Sequence, residues 1–429
     1  MFPLSKEFIL VVRIVVHIYH SLALLDYAPL SACVALPGSE DDHRYLFVNT
    51  NTAALEAAEI DDVRSIHVSR SHLQSNCVAI AAQSATHSAL YLNIPEAANV
   101  NERSELSLVD SSSLTPLMHL PLKLTEFPIS VASAPLYQLP APSQENQTEY
   151  YIVGTAFMLP SESEPTSGRI LIFRVEGEGM KRQLQLVCEH HVNGGCLAIN
   201  AYQGKIIAGI NSEIMVLDFD PVSLSIQMLC KRADNVCITS LSVDSEHGTV
   251  AVGDTLRSVS LYKLTVECVC GKQWAQLEYV AGELTRRNIT ALDRVPEQHE
   301  KLVVGDAYGN VCIMSVIEDT EIDRTNPQKH VVVREWFHLD DQVNRFVAVY
   351  LFRSGSQINE TAKLSLTDDV HTESGIQFNM AFGTVSGQIG IIGMINDDEY
   401  SILHCIEQVM NKVRFWTEIN CRLSHLWVD

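Results

Sequence analysis

The sequence predicts an all-β protein: a seven-bladed β-propeller, WD40-like but without the WD signature, ending in a short C-terminal helix. Two observations carry this. A strand-Gly-strand sentence recurs along the chain, and the distance between its copies is that of propeller blades. The strong copies are Tyr151-Ile-Val-Gly154-Thr-Ala, Ile206-Ile-Ala-Gly209-Ile-Asn-Ser, Val250-Ala-Val-Gly253-Asp-Thr, Leu302-Val-Val-Gly305-Asp-Ala and Met380-Ala-Phe-Gly383-Thr-Val-Ser-Gly387. Each is followed by a second apolar run, such as Arg169-Ile-Leu-Ile-Phe173 or Asn310-Val-Cys-Ile-Met314.

Successive glycines lie 55, 44, 52 and 78 residues apart, the last gap enlarged by a polar insert over 354–377. A repeat of roughly 40 to 55 residues with this content is a small antiparallel sheet that must stack on its neighbours to bury both faces. Arg44-Tyr-Leu-Phe-Val-Asn49 and Cys77-Val-Ala-Ile-Ala-Ala-Gln83 begin the same way without the glycine, so five strong and two degenerate units give seven blades. The glycines are expected at tight turns between inner strands, with positive φ. Asp254 and Asp306 are expected to accept N–H groups of those turns, which makes them structural rather than catalytic. Neither GxGxxG nor GxxxxGK[ST] occurs, and no GxSxG or HExxH either.

A chain of 429 residues with 46% apolar content can bury a large core, and a propeller over 26–400 spends nearly all of it on one domain. The formal net charge of −22 opposes strong non-specific DNA binding. Basic residues come in pairs, Lys181-Arg182, Lys231-Arg232 and Arg286-Arg287, which read as solvated blade edges. Eleven cysteines without CxxC read as reduced intracellular thiols, with Cys237 and Cys312 inside apolar strands. Cys188-Glu-His190-His191 with Cys196 downstream has the ligand types of a zinc site but not its spacing. No metal or cofactor is expected.

Residues 1–25 are a separate question. Phe8 to Tyr19 is almost wholly apolar after Lys6, but Arg13 and His17 interrupt it, and it is shorter than the roughly 20 residues of a membrane span. Its Val and Ile content suits a strand, and a signal peptide or an unstructured leader are the alternatives. Ile402, Leu403, Ile406, Met410 and Val413 recur at helical spacing and predict an amphipathic helix over 401–413. The polar stretches 140–148 and 354–377 read as excursions between strands.

Tyr150-Tyr-Ile-Val-Gly-Thr-Ala156, Glu164-Pro165, Gly168-Arg-Ile-Leu-Ile-Phe173, Gly204-Lys-Ile-Ile-Ala-Gly-Ile-Asn-Ser212 and Val252-Gly-Asp-Thr-Leu-Arg-Ser-Val259 resemble the carboxy-terminal part of the large subunit of damaged-DNA-binding protein. Trp336-Phe-His-Leu339 with Val343-Asn344, and Phe382-Gly-Thr-Val-Ser-Gly-Gln-Ile-Gly390, extend the likeness over roughly Asp26 to Val413. The family shares a superfamily with the large cleavage-and-polyadenylation factor subunit and a splicing-factor subunit. The resemblance implies the third of three propellers in the adaptor of a cullin-RING ubiquitin ligase, working in DNA damage recognition and repair. It implies no enzymatic activity, a nuclear location with the cytoplasm also open, no membrane contact, and nucleic acid met only within a complex.

It also implies a clasp that receives a helix from substrate-receptor proteins. The matching positions here are Leu241, Leu256, Arg257, Asn344 and Val385. The apolar three would floor the groove or, alternatively, belong to blade cores; Arg257 would meet a carbonyl end or a carboxylate and Asn344 the helix backbone. Two departures stand out. The family carries an aromatic residue after Pro-Asn where this chain has Arg286-Arg287-Asn288, and residues 414–429 resemble nothing, as expected of a fragment or an incomplete gene model. The alternative function is a nucleic-acid-binding subunit of a pre-mRNA splicing or cleavage/polyadenylation complex.

Overall fold

The computed structural model describes residues 8–14, 30–35, 44–49, 54–59, nearly all of 76–348, and 377–395. Every regular element among them is a strand apart from one short 3-10 turn at Gly179–Lys181. The helix expected over 401–413 lies outside the described residues, as do most of the 354–377 insert and the tail after 395.

The strands form antiparallel sheets in chain order, numbered here as blades. Blade 1 has three strands, Leu30–Ala35, Arg44–Asn49 and Ala54–Glu59, and falls in a separate unit over Val15–His72. The other unit holds six blades of four strands. Blade 2 runs from Asn76–Gln83 to Pro116–Pro121, blade 3 from Glu126–Pro135 to Gln183–Val192, and blade 4 from Cys196–Tyr202 to Ser225–Arg232. Blade 5 runs from Ile238–Val243 to Lys272–Glu283 and blade 6 from Ile289–Val295 to Gln328–His338. Their outer strands share a short parallel pairing, Gly282 with His330 and Glu283 with Val331. Blade 7 joins both ends of the chain, because Phe8–Ile14 pairs antiparallel with Ile389–Ile395 outside Gln377–Thr384 and Val343–Ala348. The apolar segment near the amino terminus is therefore a blade strand at residues 8–14.

Among the described residues the strands fall into six sheets, blades 5 and 6 sharing one of eight strands through that parallel pairing, and the fold is the β-propeller that the repeat predicts. The first strand of each four-stranded blade packs on the first strand of the next, so these strands are innermost. The core is a series of slabs between successive blades rather than one centre. One slab joins Ile152, Ile170 and Ile172 of blade 3 to Ile206, Ala208 and Leu217 of blade 4. The next joins Ile207 and Val216 of blade 4 to Val250, Val252 and Tyr262 of blade 5.

This packing corrects the expected role of the repeated glycine. Gly154, Gly209, Gly253, Gly305 and Gly383 lie inside the second strand of their blades, and none has positive φ. Three of them sit against the first residue of the neighbouring blade's inner strand. A Cβ on Gly154 would come within 2.6 Å of Cys196 Sγ, one on Gly209 within 2.6 Å of Ile238 Cγ2, and one on Gly253 within 2.7 Å of Ile289 Cγ2. The glycine permits close approach of blades; it does not make a turn.

Opposite that segment each inner strand carries an extra residue. Register shifts fall between Cys77 and Ala79, Cys196 and Ala198, Ile238 and Ser240, Ile289 and Ala291, and Val343 and Arg345. Such bulges turn a side chain out of the ladder. At Thr290 the freed hydroxyl donates to the Val343 carbonyl of the next blade at 2.8 Å.

Other expectations resolve locally. Residues 140–148 lie within the connection between the first two strands of blade 3. Cys188, His190 and His191 follow one another along the strand Gln183–Val192, and among the described residues no three metal-capable side chains come together. Cys312 is buried in a strand as expected, whereas Cys237 lies half-buried in the loop before Ile238. The basic pairs are not simply solvated. Arg182 is 7% exposed and binds Asp110 and the Thr86 and His87 carbonyls, leaving Lys181 outside.

Candidate partner-binding face

In a four-stranded antiparallel blade, the turn joining the second and third strands lies at the same end as the loop leading to the next blade. Residues 255–257, 307–309 and 385–388 are such turns in blades 5, 6 and 7, and 284–288 and 339–342 are the loops that join blade 5 to 6 and 6 to 7. All five segments therefore share one end of this unit.

Buried carboxylates shape these turns. Asp254, 1% exposed, accepts the Leu256 and Arg257 N–H groups at 2.8 Å through Oδ1 and those of Val236 and Cys237 at 2.7 and 2.9 Å through Oδ2. Asp306 accepts from Tyr308 and Asn310 N–H groups at 2.9 and 3.0 Å, and from the Asn310 amide. The expectation that these aspartates hold their turns is met. Both oxygens of Asp254 accept backbone N–H groups, whereas Asp306 Oδ2 accepts from the Asn310 amide and lies 3.4 Å from Arg287.

With the turns held from below, their apolar side chains stand outward. Leu256 is 58% exposed, Tyr308 77% and Val385 61%. Leu256 and Tyr308 occupy the same place in the repeat, three residues after Gly253 and Gly305. Leu284, in the loop from blade 5 to 6, is 81% exposed. Isolated exposed apolar residues are ordinary, and several at one end of successive blades make a candidate contact surface.

The loop beneath Leu284 is pinned. Glu283 accepts from the Ser258 hydroxyl and, at 3.0 Å, from Arg287 Nε, while Arg287 also reaches Asp306 at 3.4 Å. Burial works against the Arg287 charge, but the Glu283 carboxylate outweighs it and the guanidinium pKa is raised. Arg286 beside it is exposed, as is Arg257, and neither side chain makes an ion pair among the described residues.

Of the five residues singled out in the sequence, four share this end. Leu256, Arg257 and Val385 are exposed in their turns, and Asn344 is the exposed bulge residue of blade 7. The Val385 N–H donates to the Gln342 carbonyl at 2.9 Å, tying that turn to the segment before Asn344. Leu241 differs: it is half-buried, further along the inner strand of blade 5, and packs on the slab between blades 4 and 5. Sequence reasoning did not single out Leu284 or Tyr308, and it took Arg286 only as part of a solvated pair and as a departure from the family pattern. For Tyr308 the signal was present in the repeat, at the position of Leu256.

A cleft of about 250 Å³ lies elsewhere, between blades 2 and 3, lined by Leu120, Leu122, Leu171, Phe173, Leu184 and Leu186. The Arg169 guanidinium at its wall is neutralised by Glu126 and Glu189.

Comparison with known proteins matches residues 103–416 to the family model described as the CPSF A subunit region. The chain belongs to that family. Among relatives in the family's range, DNA damage-binding protein 1a of Arabidopsis thaliana is 28% identical over 367 residues, which covers 84% of this chain and 30% of the relative. DNA damage-binding protein 1 of Solanum lycopersicum is 26% identical over 366 residues with the same coverage, and that of Drosophila melanogaster 26% identical over 276 residues, 63% of this chain and 21% of the relative. The resemblance to the damaged-DNA-binding large subunit is thus established, and the chain spans about 30% of the length of the plant relatives it matches. The matched family region contains all the turns of the exposed face described above.

Proposed function

We propose that this chain is a non-enzymatic docking propeller of the damaged-DNA-binding type, acting in the nucleus as part of a ubiquitin ligase adaptor that receives a helix from substrate-receptor proteins. The observation that carries it is the exposure of Leu256, Leu284, Tyr308 and Val385 at one blade end, with the Leu256 turn held by Asp254 and the Tyr308 turn by Asp306. Rigid turns that present apolar anchors fit an amphipathic helix laid across them. Arg257 and Asn344 flank the row and supply polar contacts to the helix. Leu241 contributes from below, through the packing of the inner strand. The names of the relatives support the DNA-damage branch. No helix among the described residues is long and apolar enough to cross a membrane.

The second reading, with which the family description naming the CPSF A subunit region is compatible, is a nucleic-acid-binding subunit of a pre-mRNA splicing or cleavage/polyadenylation complex. Affinity capture with the full chain separates the two. Recovery of ligase receptor subunits supports the first, and recovery of spliceosomal or polyadenylation subunits the second. Arg257→Glu should reduce receptor capture about tenfold, the effect of losing a flanking charged contact, while the thermal midpoint stays unchanged because the side chain is exposed. Unaltered capture would remove Arg257 from the site.

A further inference from the structure

Blade 3 leaves its outer edge open. Gln183–Val192 is the last strand of its sheet, and among the described residues nothing pairs with its far side. Unpaired edges invite further strands, and proteins blunt them with short length, proline, charge or cover. Blades 2, 4, 5 and 6 do so. Blade 2 ends in six residues that begin and finish with proline, Pro116–Pro121. The outer strand of blade 4 closes on Lys231-Arg232, and those of blades 5 and 6 carry Lys272, Glu278, Lys329, Arg334 and Glu335 and pair with each other at one end. Blade 3 presents ten residues without proline, and their only Asp, Glu, Lys or Arg is Glu189, which is bound to Arg169. The same edge borders the cleft between blades 2 and 3. Leu184 and Leu186 line it beside Leu171 and Phe173, with Leu186 48% exposed. Its volume of about 250 Å³ exceeds the ~150 Å³ that holds a benzene ring and falls below the roughly 300–1,000 Å³ of small-molecule pockets, a size suited to one or two apolar side chains. Two cations stand at its wall. Arg169 is neutralised by Glu126 and Glu189, whereas the exposed Lys123 side chain makes no hydrogen bond or ion pair with other described residues.

We infer that this edge takes an extended segment of a partner protein as a fifth strand of blade 3, with an apolar side chain of that segment in the cleft and an acidic one at Lys123. An added strand gains main-chain hydrogen bonds from the edge, and its alternate side chains share one face. Those on the blade 2 side follow the row of Leu184 and Leu186 into the cleft, while those on the other side meet Gln183 and Gln185, so the segment alternates apolar with polar. Val187 is the extra residue of a bulge against Ile172 and Phe173, so regular pairing beside the cleft runs along residues 183–186. On a chain of net charge −22 a preference for an acidic segment is a local signature, because the overall field opposes it. The site uses none of the residues of the docking reading and stands or falls separately.

The test is fluorescence anisotropy of the full chain with a labelled synthetic peptide that alternates leucine with threonine and carries an aspartate at each end. A version with lysine at each end should bind about tenfold more weakly at low salt. Two further versions are methylated on the leucine or on the threonine backbone nitrogens. Only alternate N–H groups of an added strand face the edge, so one of these should lose binding and the other keep it. Leu186→Asp should abolish binding and Lys123→Glu should reverse the preference between aspartate and lysine, with melting curves unchanged because both side chains are exposed. No binding up to about 1 mM peptide, an equal effect of the two methylations, or indifference to Leu186→Asp would overturn the inference. A concentration-dependent mass of the chain alone, abolished by Leu186→Asp, would show that a second copy fills the edge and would overturn it too.

Discussion

Gly253 and Asp254 are adjacent and do opposite things. The glycine removes a side chain where blades 5 and 6 press together, since a Cβ there would lie 2.4 Å from Ser240 Oγ and 2.7 Å from Ile289 Cγ2. The aspartate supplies the carboxylate that organises the turn behind it. Gly253→Ala relieves no strained dihedral, so its effect is overpacking of a close blade contact, costing about 1–3 kcal/mol. A lowered denaturant midpoint with unchanged slope is the expected measurement, and an equal or higher midpoint would show that the blades can separate without loss. The glycine was legible in the sequence as a repeat mark, but its cause was not. A Gly followed by Asp reads locally as a turn, and only the inner strands packed on it, Ser240 of its own blade and Ile289 of the next, reveal the steric reason.

At the scale of the element, the blades were read from strand content and period, and the bulges were not. An extra residue such as Thr290 or Asn344 leaves no mark on a pattern of alternating apolar residues, because the bulge restores the alternation by slipping it. That is also why Asn344 could be nominated only by resemblance, whereas the register explains its exposure. The strand Phe8–Ile14 was open to several readings for the same reason: its partner Ile389–Ile395 lies at the far end of the chain. Val12 faces Ile391 in that ladder. Val12→Pro removes a backbone donor and should expose the edge of blade 7, so amides of Ile389–Ile395 should exchange faster with deuterium while those of blade 4 remain protected. Uniform protection would separate the amino-terminal strand from blade 7.

Contacts between elements also carry a pH dependence. Arg182 of blade 3 hydrogen-bonds Asp110 of blade 2, and with the Ser113 bonds it holds that carboxyl well below the usual carboxylate range. A folded-state pKa below the unfolded one gives stabilisation that is present above the unfolded value of about 3.9 and is lost as pH falls through it and below. Asp110→Asn should therefore lower the thermal midpoint at neutral pH, and the difference from the parent should shrink as pH is taken from about 6 to about 2. A constant difference across that window would mean that the pair adds no acid-sensitive stability.

For the whole molecule, the relatives are named DNA damage-binding proteins, while this chain's charge argues against gripping DNA directly. With 30 Lys and Arg against 52 Asp and Glu, the formal net charge is −22 and the sequence pI about 5.1. Non-specific binding to duplex DNA requires several cations on phosphates and weakens steeply with salt. Here Arg169, Arg182, Lys205, Arg232 and Arg287 are all committed to carboxylates of this same chain. Among the described residues, the exposed arginines at the candidate face, Arg257, Arg286 and Arg345, are too few to make a phosphate-binding track. In a gel-shift titration at about 0.15 M salt the isolated chain should leave a random duplex unbound at micromolar concentrations. Micromolar binding that survives about 0.5 M salt would instead require base or shape recognition by this propeller, and would shift the favoured reading from a protein-docking scaffold towards a nucleic-acid-binding subunit.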